Sequence, residues 1–429
     1  MDFNMDELQQ RRKQRQQEQQ QRLRQQRKLF IRLGIAAAVL LLCGLLILGL
    51  RFGGDSQPPQ TTGTAAEPSA DTVEQTAAST EAKPETVIHF VAAGDLNVTD
   101  EVVAAGGANY DYTDAFMDVV PLLSAGDLTA VNMEGILCGA PYGGENHSAP
   151  LPMVEALAAA GVDIIQVANS YAIRKGVSGL VTTLRSIELT GMDPVGAFAD
   201  EGEYKKTGGY NIYVVNGVRV AVVAYTKGMD GMALPGGSEK CVNVLYKDYS
   251  STYREVDTQG ITKLLRNVAA QKPDVTIVLI HWGSEYNDTH SDSQNQIRDL
   301  MFAEGVDAII GTHPHSLQEM VFDEKAGTFI AYSLGDFFGD GTTAGTEYSV
   351  ILDLEITKNN ETGDARITGY SYTPIFTTRD ARGQLRVLRL DNAMAAYEAG
   401  HIDRVSAQAY DAMVYAKKRI QARIHPEQE

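Results

Sequence analysis

DVTIVLIHWG (Asp274–Gly283) is apolar from Val275 to Ile280 apart from Thr276, and it ends on His281 and Trp282 before a glycine. A run this short, rich in β-branched residues and without alternation, reads as a parallel strand buried on both faces. The same grammar recurs along the chain. VIHFVAAGD (87–95), LTAVNMEG (128–135), VDIIQVAN (162–169), RVAVVAY (219–225), DAIIGTH (307–313), TFIAYSLGD (328–336) and EYSVILDLEI (347–356) are all strand-like. Between them lie helical stretches with i, i+4, i+7 apolar spacing, such as Leu180, Leu184 and Ile187. The expected fold class is α/β, with sheets under helices. ARITGYSYTPIF (365–376) alternates and reads as antiparallel.

Several of these runs end on a residue that can bind a metal. Asp95, Glu134, His281, His313 and His315 each follow an apolar run. Ligands of open α/β sheets bind beyond the carboxyl ends of the strands, so these five residues should converge. Carboxylates mixed with imidazoles suit Mn, Zn or Fe better than a thiolate site or an all-oxygen calcium cage. One or two such divalent ions are therefore the expected cofactor. His89, His147, His290, His401 and His425 lack this placement and read as structural or exposed.

Six stretches in order, GDLNV (94–98), NMEG (132–135), ANSYAIRKG (168–176), HWGSEY (281–286), GTHPHSLQ (311–318) and YSLGDF (332–337), resemble the CapA family of bacterial capsule and poly-γ-glutamate biosynthesis proteins. The resemblance covers roughly residues 87–378. It implies a metallophosphatase-like two-sheet sandwich flanked by helices, with the five residues above as metal positions. It further implies catalytic roles for Asn169, Tyr171 and His281. Trp282, Glu285, Tyr286 and Gln318 become expected residues of the pocket or of the support behind the metal ligands, and Asp336, standing where the family usually has Asn, an expected pocket residue.

The third motif departs from the family pattern A-N-N-H-A-x-D-x-G. Ser170, Tyr171 and Arg174 replace the second Asn, the His and the Asp. A serine hydroxyl is a poorer ligand than an amide oxygen, and tyrosine, with a reference pKa near 10, does not exchange protons near neutral pH. An arginine beside the cations should weaken metal occupancy.

The chain has 429 residues and a formal charge of −18. Residues 1–32 are basic and Gln-rich, and residues 33–50 are uncharged, long enough for about 27 Å of helix at about 1.5 Å per residue. This reads as a single-pass anchor in a bacterial cell membrane, with the N-terminus cytoplasmic and the main domain outside. Residues 51–86 read as a flexible tether, 87–381 as the main domain and 382–429 as a helical extension whose stripe is Ile402, Val405, Ala409, Ala412, Ala416 and Ile420. Nine basic and four acidic side chains give residues 1–50 a charge of +5, leaving −23 for the rest. That balance argues against nucleic acid as a partner. Cys138 and Cys241 match no zinc or redox spacing; they either pair or pack as small apolar residues.

The family resemblance implies production or export of poly-γ-glutamate, capsule or a related envelope polymer, a role that needs no catalysis by the altered third motif. Expected partners are synthase or export subunits and an acidic polymer or small substrate. The alternative is a metal-dependent hydrolase or transferase acting on a phosphorylated, peptidyl or polyglutamyl surface substrate.

Overall fold

The structure, a computed structural model, describes residues 84–380, 382–402 and 405–424. The basic segment, the expected anchor at 33–50 and most of the tether lie outside the described residues. Among the described residues no helix is long and apolar enough to cross a membrane.

Two sheets form the domain. The first has the order β14 (Leu385–Arg389), β13 (Ala365–Arg379), β12 (Tyr348–Asn359), β1 (Glu85–Asn97), β2 (Leu128–Glu134), β3 (Ile164–Gln166) and β4 (Asp193–Val195). β11 (Asp336–Phe338) joins the carboxyl end of β1 in parallel, beyond the stretch paired with β12. The second sheet has the order β5 (Asn211–Val215), β6 (Val218–Thr226), β7 (Val275–His281), β8 (Ala308–Thr312), β10 (Thr328–Ala331) and β9 (Met320–Asp323). β1 to β4 are mutually parallel, as are β6, β7, β8 and β10. β12, β13 and β14 are antiparallel.

Alternation along the strands divides the core. Val220, Val222 and Ala224 of β6, with Val275, Ile277 and Leu279 of β7, join Ala92, Val131 and Leu352 of the first sheet in one cluster. Their neighbours Ala221, Val223, Tyr225, Val278 and Ile280 face the other way, onto Ile261, Leu264, Ile297 and Met301 of the helices Thr258–Ala269 and Asp292–Ala303. Strands covered on both faces stay apolar throughout, which is why they were legible as continuous runs.

The carboxyl-terminal part differs from the expected helical extension. LRVLR forms β14 and completes the first sheet, a five-residue strand too short to show a period. The helix Ala407–Ile424 packs on β12 and β13 and buries Ala409, Met413, Ala416, Ile420 and Ile424. Ile402, placed in the expected stripe, precedes that helix and is 68% exposed. Ala412 is only partly buried, because the inward face runs through Met413. Cys138 and Cys241 are free thiols.

Candidate metal centre

The carboxyl ends of the two sheets meet, and the expected ligands meet with them. Asp95 lies near the end of β1, Glu134 ends β2, His281 ends β7, and His313 follows β8 directly. The His313 backbone N–H donates to Asp95 Oδ2 at 2.9 Å, tying the sheets together at this point. His313 and His315 flank Pro314 with φ of 93° and 55°, conformations that cost non-glycine residues about 1–3 kcal/mol each. Both imidazoles lie over Glu134. His315 Nε2 lies 3.3 Å from Glu134 Oε2, while His281 Nε2 and His313 Nδ1 lie 3.2 and 3.7 Å from Oε1.

All five residues are buried, at 4% exposure or less. Neither Glu134 oxygen accepts a hydrogen bond. A buried carboxylate facing three imidazole nitrogens at these distances, without hydrogen-bond geometry, is a donor set suited to a cation. Three overlapping triads, Glu134–His313–His315, Asp95–Glu134–His281 and Asp95–His315–Asp336, each hold their ligand atoms within 4.8 Å of one another. The cluster can therefore bind metal, and Asp336, expected in the pocket, belongs to it.

Electrostatics divides the roles. Burial pushes the Asp95 carboxyl up, and the Glu134 charge adds to this. Burial acts to raise Glu134 too, but the charges of His281 and His315 outweigh it and hold Glu134 well below the usual carboxylate range. Burial takes His313 down to about 3. His315 moves the other way: burial opposes its charge, but Asp336 and Glu134 outweigh that and lift it well above the usual range. Burial also takes Asp336 up to about 7, against the pull of His315. The two groups compete for one proton. We place it on His315, whose Nδ1 lies 2.7 Å from Asp336 and 3.9 Å from Asp95. An Nδ1–H donated to a carboxylate, with Nε2 turned to the cluster, is how a ligating histidine is usually oriented.

It follows that Asp336→Asn should lower the His315 pKa in the metal-free protein. Since His315 must release a proton before it can ligate, metal affinity should rise with pH in the parent chain and less steeply in the variant. An NMR titration of His315 checks this, and an unmoved midpoint would refute it.

The altered third motif is built into the site. Asn169 is fully buried, donates to the Met133 carbonyl at 2.6 Å and accepts from the Tyr171 N–H at 2.9 Å, so it holds the turn. Ser170 Oγ lies 2.9 Å from His281 Nε2 and 3.5 Å from His313 Nδ1. Tyr171 stacks on His147, with ring centroids 3.5 Å apart, and burial pushes its phenol up. The Arg174 charge does not face the cluster as expected. Its guanidinium pairs with Asp230 at 2.9 Å and donates to the Glu145 carbonyl at 2.7 Å, which fastens the loop after β2.

Of the other expected residues, Trp282 stands behind the pocket and does not line it. It follows His281 and so points to the opposite, helix-covered face, fully buried, with Nε1 donating to the Tyr332 carbonyl at 2.8 Å. Gln318 is also fully buried and donates to the carbonyls of Asn287 and Thr289, so it fixes a loop. Glu285 is exposed; Tyr286 is 53% exposed, its ring 5.7 Å from that of His315. His89 pairs with Asp353, and His290 with Glu319. Two residues escaped the sequence reading. Asn132 donates to Asp95 Oδ1 and lies 3.3 Å from His281 Nδ1. Lys227, one position past β6, reaches His313 Nε2 at 3.2 Å. Both stand at strand ends, the signal that found the others.

The sequence model of the family described as bacterial capsule synthesis protein PGA_cap matches residues 89–340. The chain belongs to this family. The PGA_cap match begins in β1 and ends just past β11, and so contains every residue of the cluster. The chain is 30% identical over 229 residues to the PGA biosynthesis protein CapA of Bacillus subtilis (strain 168), covering 53% of this chain and 56% of that one. It is 29% identical over 217 residues to the capsule biosynthesis protein CapA of Bacillus anthracis, covering 49% and 48%. The chain thus spans about half the length of the curated relatives it matches. Among solved structures, a phosphatase from Mycoplasma pneumoniae aligns at 14% identity and a TM-score of 0.44, over 68% of this chain and 94% of that one. A putative 5'-nucleotidase from Staphylococcus aureus aligns at 13% identity and a TM-score of 0.45, over 70% and 57%.

Proposed function

We propose that the chain takes part in making or exporting an anionic envelope polymer, poly-γ-glutamate or a capsule polymer, and that the Asp–Glu–His cluster is where it handles that polymer. The observation that carries the reading is the Glu134 carboxylate, buried, free of hydrogen bonds and enclosed by three imidazoles. Membership of the PGA_cap family supports the polymer. Residues 33–50 would anchor the chain, residues 51–86 would tether the domain outside the cell, and synthase or export subunits would be its partners.

Asp95, Glu134, His281, His313 and His315 would hold one or two divalent cations, of Mn, Zn or Fe type by their mixed nitrogen and oxygen donors. When bound, such an ion supplies Lewis acidity and neutralises charge on a substrate oxygen. Asp336 orients His315, and Asn132 orients Asp95 and His281.

A second reading, a hydrolase or transferase acting on a phosphorylated, peptidyl or polyglutamyl substrate, is favoured by the Ser170 hydroxyl 2.9 Å from His281 Nε2. Two measurements decide. Cells whose chain carries His313→Ala with His315→Ala should make no surface polymer, and normal polymer there would refute the first reading. Turnover of poly-γ-glutamate by the purified chain would select the second.

A further inference from the structure

We propose that Lys227 anchors an anionic oxygen of the substrate, a carboxylate or a phosphate, beside the cluster; the proposal rests on that cluster being the working site. Lys227 leaves the carboxyl end of β6, and its backbone N–H donates to the His281 carbonyl at 2.7 Å. The next residue, Gly228, admits no Cβ, which would sit 2.2 Å from the Tyr249 carbonyl oxygen. The backbone at the root of the lysine is therefore held in place, and the contacts of Nζ place its head.

That place is between the two histidine motifs. Nζ donates to the Gly283 carbonyl at 2.8 Å and lies 3.2 Å from His313 Nε2, with the Tyr253 ring centroid at 5.0 Å. An ammonium has three donors and the Gly283 carbonyl takes one, so at least one remains in either tautomer of His313. Among the described residues no carboxylate forms an ion pair with Lys227, although it is half-buried; Glu285 and Glu134 act on it only from farther away. A part-buried cation without a counter-ion is costly unless a ligand supplies the anion. Arg174, the nearby cation of the third motif, already has Asp230. Lys227 is thus free to meet a negatively charged substrate, and as a compact point charge it suits either kind of oxygen.

The test uses the purified full-length chain and its Lys227→Met and Lys227→Arg variants. Metal content is measured by mass spectrometry, and binding of a γ-linked glutamate trimer and of inorganic phosphate by calorimetry. Lys227→Met should keep the metal and a Tm within about 2 °C, yet weaken at least one probe by about tenfold or more, with partial recovery in Lys227→Arg. The weakened probe tells whether carboxylate or phosphate is the partner. Equal binding by parent and Met variant overturns the proposal, as does failure of both probes to bind the parent. Loss of metal in Lys227→Met also overturns it, because Lys227 would then act through His313. A metal-free parent whose anion binding still depends on Lys227 would sink the metal reading and leave the anchor standing.

Discussion

Glu134→Ala should leave the purified protein without bound divalent metal, under conditions where the parent chain retains about one or two equivalents. Glu134 belongs to two of the three ligand triads, and its oxygens are the ones the three imidazoles face. Losing an outer-shell partner of a metal site costs about 10–100-fold in affinity, so losing this shared carboxylate should cost more. Stability supplies a second readout. An ion present at about 100 times its Kd stabilises the fold by about 2.7 kcal/mol, so the melting temperature of the parent should rise with metal and that of the variant should not. The metal-free comparison has its own sign: Glu134→Gln should be less stable than the metal-free parent near neutral pH, because His281 and His315 hold the ionised carboxylate well below the usual range and the variant leaves the imidazoles without it. Parent-like metal content in Glu134→Ala would remove the ground for a metal centre.

Gly94→Ala should cost more than about 4 kcal/mol and prevent accumulation of folded protein. A Cβ at Gly94 would sit 1.8 Å from the Gly335 carbonyl oxygen and 2.9 Å from its carbon, so backbone must move against backbone. The bond at stake is Asp95 N–H to Gly335 O, 3.0 Å, where β1 and β11 bring Asp95 and Asp336 side by side. Total stabilities are about 5–15 kcal/mol, so such a loss takes much of the margin. Gly236→Ala, where a Cβ meets nothing within 4 Å, is the control and should stay within about 0.5 kcal/mol of the parent. The yield of folded protein for each variant, with a thermal melt of whatever folds, checks this. A Gly94→Ala protein that melts with its parent would mean that the two strand tips do not approach as described.

Much of the site was legible because one physical rule generates it. Strands covered on both faces must be apolar, so a charged or imidazole side chain marks the point where a strand emerges, and parallel strands emerge at one end. Asp95, Glu134, His281, His313 and His315 were found in this way. Applied to TKG after β6, the same rule would have found Lys227. Trp282 lies behind the pocket by the alternation of the strand: its neighbour His281 faces the other sheet, which puts the next side chain under the helices. β14, like the three-residue strand β4, was too short to carry a periodic signal of its own.

The sequence alone determined the class of fold, the family, and which residue types stand at the strand ends, because burial period and ligand chemistry are local properties written residue by residue. Only the tertiary structure decided which nitrogen of each imidazole faces which carboxylate. It also decided that Asp336 reaches His315, that Arg174 is taken up by Asp230, and that among the described residues Lys227 has no carboxylate paired with it. These are properties of pairs brought together across many residues by two packed sheets, and spacing along the chain does not encode them.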